Sequence, residues 1–333
     1  MDLDVMSWGL RTAEQRVMRA VVHRLPSRLA DRLRTPPPAS ATLRGDLRRR
    51  LLTALRHGGI PASVRTFALV DNPAHLFVNG DSLVLAQLYW FGEQGWEPEL
   101  LPWWRHLCRN SSAVLELGAN VGYYAVQGMR AAPGVQYTAV EPHPASLRLC
   151  GANFFLNGIT SVKLIAAAAV ADPAAGVARL LVPRDQLPAP TVAFVDGDAE
   201  LPQRMAGPIG AVIEVPTVDV RTLLAGVDLL KLDVEGQEHA LLAAAGDHLR
   251  AHRPTVVVEV LPGTARLRRL LMQLCAELGY RCYVPQPGQL VPLQPERLGE
   301  VTLLHEYGVQ DIILSTDRDL SLTVPEHGPP GNC

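Results

Sequence analysis

Between residues 111 and 262, short apolar runs alternate with stretches of helical period. The run Ala113-Val114-Leu115-Glu116-Leu117 ends in a glycine-rich turn, and 121–130 carries the spacing of a helix. Residues 135–140 predict a second strand, 144–156 a second helix and 161–169 a third strand. Two further apolar strands, 227–233 and 254–260, flank a helix over 237–250. Strands that alternate with helices in this way imply βαβ units, and hence a parallel sheet covered on both faces. Between the third and fourth strands the rhythm lapses. There 177–183, 191–195 and 211–215 are short β-like runs divided by Pro, Gly and Asp, which predicts a β-rich insertion. A helix over 264–278 and closing strands at 280–284 and 310–314 complete the pattern.

Ahead of this core, 10–33 has helical period, with Val17, Val21, Val22, Leu25 and Leu29 apolar, arginines between them and an interruption at Pro26. Two readings fit: a helix packed on its own domain with a solvated arginine face, or a basic amphipathic helix on an anionic membrane surface or partner. The packed helix is preferred, because such a pattern alone is a weak signal. Thr35-Pro36-Pro37-Pro38-Ala39-Ser40 has linker composition, and a second Arg-rich helix is expected over 41–57. The expected division is an Arg-rich helical extension (1–60), an aromatic-rich subdomain (61–110), an α/β core (111–316) and a disordered tail (317–333).

Composition narrows the class. Of 333 residues 48% are hydrophobic, enough for a sizeable core. A net charge of −2 excludes the broad basic footprint of a general nucleic-acid binder, although 11 of the 31 basic residues, all arginine, fall in the first 50 positions. The five cysteines (Cys108, Cys150, Cys275, Cys282, Cys333) form no CxxC pair, which predicts reduced thiols. Residues 1–11 lack the apolar segment of a secretory signal, and no run approaches the ~18 apolar residues of a membrane span, so a cytoplasmic location is expected. Composition leaves the oligomeric state open.

The candidate chemistry begins at Glu116-Leu117-Gly118-Ala119-Asn120-Val121-Gly122, a strand-to-helix turn. Its glycines let the backbone turn sharply and approach a ligand closely. A dinucleotide fingerprint needs three glycines as G-x-G-x-x-G. Here only Gly118 and Gly122 are present, with Asn120 where the second glycine would stand. Asn120 would obstruct a pyrophosphate but can hydrogen-bond a smaller group, and Glu116 repels phosphates and attracts a cationic head group. Glu141, 23 residues after Gly118 and held extended by Pro142, stands where nucleotide-binding sheets carry a ribose-hydroxyl acceptor. This combination favours S-adenosylmethionine, which has an ammonium and a sulfonium and no phosphate. A nicotinamide oxidoreductase is disfavoured by the missing glycine. A non-catalytic binding module is disfavoured because the glycines and the strand-end acids are both retained.

The blocks V-L-E-L-G-A-N-V-G-Y-Y, A-V-E-P-H-P, N-F-F-L-N-G, V-P-T-V-D-V, L-L-K-L-D-V-E-G-Q-E and P-T-V-V-V-E, in order over about 110–262, resemble the FkbM family of class I methyltransferases. The resemblance implies a Rossmann-like fold with a mostly parallel seven-stranded sheet and helices on both faces. It implies S-adenosylmethionine as donor and, commonly, O-methylation of small molecules, sugars or lipids, with some members acting on nitrogen. Ala119 and Tyr123, within the first block, then join Glu116, Gly118, Asn120, Gly122, Glu141 and Pro142 as cofactor-binding candidates.

On the acceptor side, Leu229-Leu230-Lys231-Leu232-Asp233-Val234-Glu235-Gly236 ends the fourth strand, where open α/β sheets bind ligands. An unpaired ammonium inside an apolar strand is costly, so Lys231 is expected to pair with Asp233 or Glu235. One of these two carboxylates is the expected base for the acceptor, with Lys231 orienting; sequence does not choose between them. Glu259 ends the fifth strand and divides evenly between site and structure. His143 is a weaker candidate at the adenine rim, and His239 reads as a solvated helix-face residue. Asp219 reads equally as a helix cap, Asn157 as a helix C-terminus. The aromatic residues Tyr89, Trp90, Phe91, Trp96, Trp103 and Trp104 read as packing before lid. No His/Asp/Glu spacing stands out as a metal site, and the sequence leaves a Mg²⁺ requirement open, since scattered carboxylates can supply one.

Overall fold

The computed structural model of the protein describes residues 17–34, 51, 55, 59–70, 72–78, 82–173, 176–184, 190, 192–197, 200, 208–261, 263–286, 288–299, 311–318 and 320. The proline-rich segment 35–40, most of the helix expected over 41–57 and most of the tail lie outside them. The chain divides into two compact units, Met1–Trp96 and Glu97–Cys333.

In the first unit, residues 17–23 are helical, and α1 (Ser27–Arg34) restarts after Pro26, whose ring suits a helix start but not its interior. Strands β1 (Thr66–Ala68) and β2 (His75–Phe77) pair antiparallel. Helix α2 (Leu83–Phe91) is capped by Ser82, whose side chain accepts from the Leu85 amide. Val22 and Ala30 are buried, whereas Val17, Val21 and Leu29 are exposed. Not every arginine of the stretch is solvated. The Arg34 guanidinium is buried 4.1 Å over the Tyr89 ring and 5.2 Å over Phe67, and donates to the carbonyls of Tyr89 and Ala68. Among the described residues no helix is long and apolar enough to cross a membrane.

The second unit runs α3 (Leu101–Arg109), β3 (Ala113–Leu117), α4 (Tyr123–Ala131), β4 (Gln136–Val140), α5 (Pro144–Leu156), β5 (Lys163–Ile165), β6 (Ala168–Val170), β7 (Val177–Pro183), β8 (Phe194–Val195) and β9 (Ile209–Asp219). It continues through β10 (Leu229–Leu232), α6 (Glu238–Ala244), α7 (Gly246–His252), β11 (Thr255–Glu259), α8 (Ala265–Leu278), β12 (Arg281–Gln286), β13 (Gln289–Leu293) and β14 (Asp311–Ser315). The main sheet has the order β13-β12-β14-β11-β10-β3-β4-β5. Strands β5, β4, β3, β10 and β11 are parallel, and β14, β12 and β13 close it antiparallel. The chain starts in the middle at β3, winds out to β5 and returns to β10 on the other side of β3. Strand order reverses between β3 and β10, and that switch point is where such sheets bind ligands.

The expected seven strands are present, and β13 adds an eighth. Its sequence Gln289-Leu-Val-Pro-Leu293 carries Pro292, which cannot donate to a ladder and is tolerated here because β13 is the sheet edge. The expected third strand at 161–169 breaks after Ile165. Its second half, β6, pairs with β9 in a separate four-stranded sheet of order β6-β9-β7-β8, which is the β-rich insertion. The helix expected over 237–250 is two helices that meet at Ala245-Gly246.

One face of the main sheet is apolar: Leu115, Leu117, Leu230, Leu232, Val256 and Val258 pack with residues of α6, α7 and α8. The other face includes Tyr137, Glu116 and Lys231, all buried. Helix α3 belongs with this face. Trp104 donates 2.9 Å to the Tyr124 carbonyl and stacks edge-on against Tyr124 and Tyr137. Helix α3 thus lies in the second unit, which begins at Glu97. Tyr89, Trp90, Trp103 and Trp104 are fully buried, so their role is packing. The four described cysteines are free thiols.

Candidate active site

The turn after β3 is built by backbone constraints that only its own residues satisfy. Gly118 has φ +86°, and a β-carbon there would lie 1.8 Å from the Asp233 carbonyl oxygen. The amides of Gly118 and Ala119 both donate to the Val140 carbonyl at 3.0 Å, which ties the turn to the end of β4. Asn120 takes φ +50°, a left-handed conformation that Asn tolerates better than most residues. Gly122, at φ +78°, begins α4, and a β-carbon on it would come 2.7 Å from Cys150 Sγ. Asn153, on α5, donates 2.7 Å to the Val121 carbonyl.

Asn120 occupies the centre of this loop. Its side-chain amide donates to the Pro190 carbonyl at 3.2 Å, while Oδ1 is buried with no donor among the described residues. Glu141 braces the loop from the next strand. Its Oε2 accepts from the Asn120 amide and its Oε1 from the His143 amide, both at 2.7 Å. Burial, only partly offset by these two bonds, pushes its carboxyl up to about 7. A carboxylate has roughly four lone-pair positions, so two remain. His143 caps α5 through the Ser146 amide.

Glu116 lies deeper than the sequence suggested. It is 1% exposed, accepts a 2.7 Å hydrogen bond from Tyr137, and sits in register with Lys231 on the neighbouring strand. Burial pushes its carboxyl up to about 7 against the pull of Lys231 and Tyr137. Its charge therefore acts from inside the sheet, not as a surface that a head group can touch. Tyr123, 2% exposed, opens α4 directly after Gly122.

Across the switch point, Lys231 is 1% exposed and chooses Asp233: Nζ donates 2.8 Å to Oδ2. The ammonium also sits 4.6 Å over the Tyr124 ring. Burial alone lowers the lysine pKa, but the carboxylates of Asp233, Glu97, Asp311 and Glu116 outweigh it and raise the value. Tyr124 donates 2.6 Å to Glu97, whose carboxyl is pushed up to about 8 by burial and by Asp311. Asp311, in register with Glu259, is itself pushed up to about 6 by burial.

After Asp233 the chain makes the tight turn Val234-Glu235-Gly236. Glu235 has φ +54°, unusual for a side chain of this size. Glu238, in the first turn of α6, holds the turn in place by accepting from the amides of Val234 (2.9 Å) and Gly236 (3.0 Å). Carboxylate oxygens of Asp233, Glu235 and Glu259 lie within 4.8 Å of one another. Oε2 of Glu235 and Oε2 of Glu259 are buried without a donor among the described residues. The insertion reaches this end: the Glu200 amide donates to the Gly236 carbonyl at 2.9 Å, and its carboxylate caps α8 at Arg266 and Leu267.

Asp233, Glu235 and Glu259 are thus brought together beside the Gly118 loop. His239 lies on α6 outside that group, and Asp219 accepts from the Arg221 amide as a cap. Sequence reasoning missed Glu97, Tyr124, Tyr137, Glu238 and Asp311. Glu238 carried a usable signal as an acid in a first helical turn. Asp311 carried another, since an acid opening the apolar run Asp-Ile-Ile-Leu needs a partner just as Lys231 does.

The family model for the Methyltransferase FkbM domain matches residues 116–282, half of the chain, and the chain belongs to that family. Its sheet is the Rossmann-like one of class I methyltransferases. No curated protein matches the sequence. The chain is similar to the solved methyltransferase FkbM from Methylobacillus flagellatus KT at 12% identity, covering 62% of this chain and 44% of that one, with a TM-score of 0.38. It thus spans under half the length of that protein. It is also similar to an O-methyltransferase from Bacillus cereus in complex with SAH (10% identity, 66% of this chain, 82% of that one, TM-score 0.36). A third similar structure is the O-methyltransferase TomG from Streptomyces achromogenes, involved in tomaymycin synthesis and in complex with SAM (12%, 66% and 79%, TM-score 0.35).

Proposed function

We propose that the protein binds S-adenosylmethionine at the Gly118–Gly122 loop and directs its methyl group to a hydroxyl of a small molecule, sugar or lipid. The observation that carries this reading is Asn120 Oδ1, a buried acceptor with no donor among the described residues, held between two positive-φ glycines. A buried acceptor left unmade costs about 1–3 kcal/mol, and a ligand ammonium or amide supplies the missing donor. The loop fits the cofactor in other respects. The left-handed turn at Gly118 brings the backbone close, and the two remaining lone pairs of Glu141 suit ribose hydroxyls. Asn120 and the buried carboxylates are poor company for a pyrophosphate.

When bound, the cofactor supplies a methyl on a sulfonium, which is already a good leaving group. The chain's own residues then have three tasks: to align the acceptor, to exclude water and to accept a proton. Asp233 is about a quarter exposed and fixed by Lys231, and its backbone carbonyl lies against Gly118 of the loop. We assign it, or Glu235 beside it, to receive the hydroxyl proton. Lys231 orients Asp233 from a fully buried position. Gly118 and Asp233 are in backbone contact, so a methyl delivered at the loop meets an acceptor held at the end of β10.

Calorimetric titration of the full chain with S-adenosylmethionine and, in parallel, with NAD tests the reading. Saturable binding of the first alone is expected. Binding of NAD instead overturns it.

A further inference from the structure

Residues 17–34 pack on their own unit by a narrow inner face and present a different face to solvent. Val22, Ala30 and Arg34 are buried on the inner side. Val17, Val21 and Leu29 point the other way, 64%, 49% and 46% exposed. Single exposed aliphatic residues are ordinary, but these three alternate with exposed arginines. Val17 and Val21 lie one helical turn apart, and exposed Arg24 stands in the turn that ends their helix. On α1, exposed Arg28 and Arg32 are likewise one turn apart and flank Leu29.

Charge is concentrated in the same part of the chain. The first 50 residues hold 11 of the 31 basic residues and 5 of the 33 acidic ones, so this end is positive in a chain whose total is −2. Within 17–34 the exposed charged residues are Arg19, Arg24, Arg28 and Arg32 against one acid, Asp31. All 11 basic residues are arginine, whose guanidinium is weakly hydrated and pairs two-pronged with phosphate.

We propose that the outer face of 17–34 is a docking surface for an anionic phospholipid bilayer. Charge complementarity sets the sign of the partner, and the aliphatic residues set its kind. The arginines meet headgroup phosphates while Val17, Val21 and Leu29 enter the boundary of the acyl layer, as in helices that lie in the interface plane. A nucleic acid offers the same phosphates but no apolar layer to receive three branched side chains. The contact is peripheral, since no described helix is long and apolar enough to cross a membrane. The inference goes beyond the methyl-transfer reading and stands without it.

Flotation of the full chain with vesicles tests it, using phosphatidylcholine with about one third phosphatidylglycerol against phosphatidylcholine alone. Binding to the anionic vesicles only is expected. It weakens by about tenfold or more when salt shortens the screening length from about 10 Å to about 3 Å. The double variant Arg28→Gln with Arg32→Gln weakens binding by about tenfold or more, because each basic residue near an anionic surface contributes about fivefold. Val21→Ser with Leu29→Ser weakens it by about fivefold or more through lost apolar burial. All four positions are exposed, so the thermal midpoints of both double variants stay at that of the parent, which separates lost docking from misfolding. No flotation with anionic vesicles, or parent-like flotation of either double variant, overturns the proposal. Tighter binding of a duplex DNA fragment than of the vesicles, at equal phosphate concentration, overturns it in favour of a nucleic-acid surface.

Discussion

Gly118 and Asp233 meet backbone to backbone, so closely that a β-carbon on Gly118 would lie 1.8 Å from the Asp233 carbonyl oxygen. The Asp233 amide in turn donates 3.1 Å to the Leu117 carbonyl. The cofactor loop and the acceptor strand end are therefore one rigid junction. Gly118→Ala adds both a clash and a residue at φ +86°, which together cost on the order of 3 kcal/mol or more. Binding of S-adenosylmethionine and thermal stability are expected to fall together. A variant that keeps both within twofold and 1 °C of the parent contradicts this junction.

Asn120 offers a finer probe, because its backbone amide carries the bond to Glu141 and survives a side-chain change. Asn120→Ala removes the buried Oδ1 acceptor and the bond to the Pro190 carbonyl. Cofactor affinity is expected to drop by about 10- to 100-fold, the equivalent of one to two buried hydrogen bonds. Calorimetry reads it directly, and an unchanged affinity removes Asn120 from the site.

Lys231 is the hub for the buried acids. Lys231→Met leaves Asp233 without its partner and removes the positive charge that Glu97, Asp311 and Glu116 also feel. Breaking a buried pair in this way costs about 3–5 kcal/mol. Adding Asp233→Asn recovers part of that loss, so urea unfolding of the two single variants and the double should show coupling. Strict additivity would mean the pair contributes nothing beyond its separate residues.

Much of this arrangement was legible in the chain, and the gaps have a common cause. The strands flanking the switch point are near-continuous apolar runs between glycine and helix signals, so β3, β4, β10 and β11 could be read within a residue or two. Lys231 announced a partner because it interrupts such a run. What escaped was tertiary. Glu97, Tyr124 and Asp311 come from distant parts of the chain, and no local pattern says that they converge on Lys231 or that Tyr137 reaches the Glu116 beside it. Glu116 was read as a surface for a cation, yet period-two alternation in β3 puts it in register with Lys231 inside the sheet. The meeting of Asp233, Glu235 and Glu259 required knowing that β10 and β11 are adjacent and parallel.

Glu116 also makes stability depend on pH. Its carboxyl is pushed up to about 7 in the folded protein, from an unfolded value near 4.5. Between those values the folded state binds more proton than the unfolded state, so stability is greatest on the acid side and falls as pH rises through the window. A shift of this size corresponds to at most ~3 kcal/mol. Thermal melts of cofactor-free protein from pH 5 to 8 should therefore decline. Glu116→Gln, which keeps an acceptor for Tyr137 but cannot ionise, should give a flatter profile. A parallel profile in the variant would place the ionisation elsewhere.

Glu235 brings stability and activity into opposition. Its backbone is left-handed at φ +54°, which costs a non-glycine residue about 1–2 kcal/mol, and its Oε2 is buried without a donor among the described residues. Burial, with the neighbouring charges of Asp233 and Glu238 added, raises its carboxyl well above the usual range. The turn itself is held by Glu238 through the amides of Val234 and Gly236, and those bonds do not need the Glu235 side chain. Glu235→Gly therefore relieves the backbone and removes the buried acid, and is expected to stabilise the protein by about 1 kcal/mol. Glu235→Ala removes the acid but keeps the strained φ, so it should be the less stable of the two. Both should lose methyl transfer by at least about 100-fold, the loss typical of removing a positioned acid–base group, while still binding S-adenosylmethionine. Chemical denaturation, cofactor calorimetry and turnover measured on the same preparations separate the cases. A glycine variant that is less stable than the parent would mean the side chain supports the fold. One that is stable and fully active would remove Glu235 from the acceptor side and leave Asp233 to carry it.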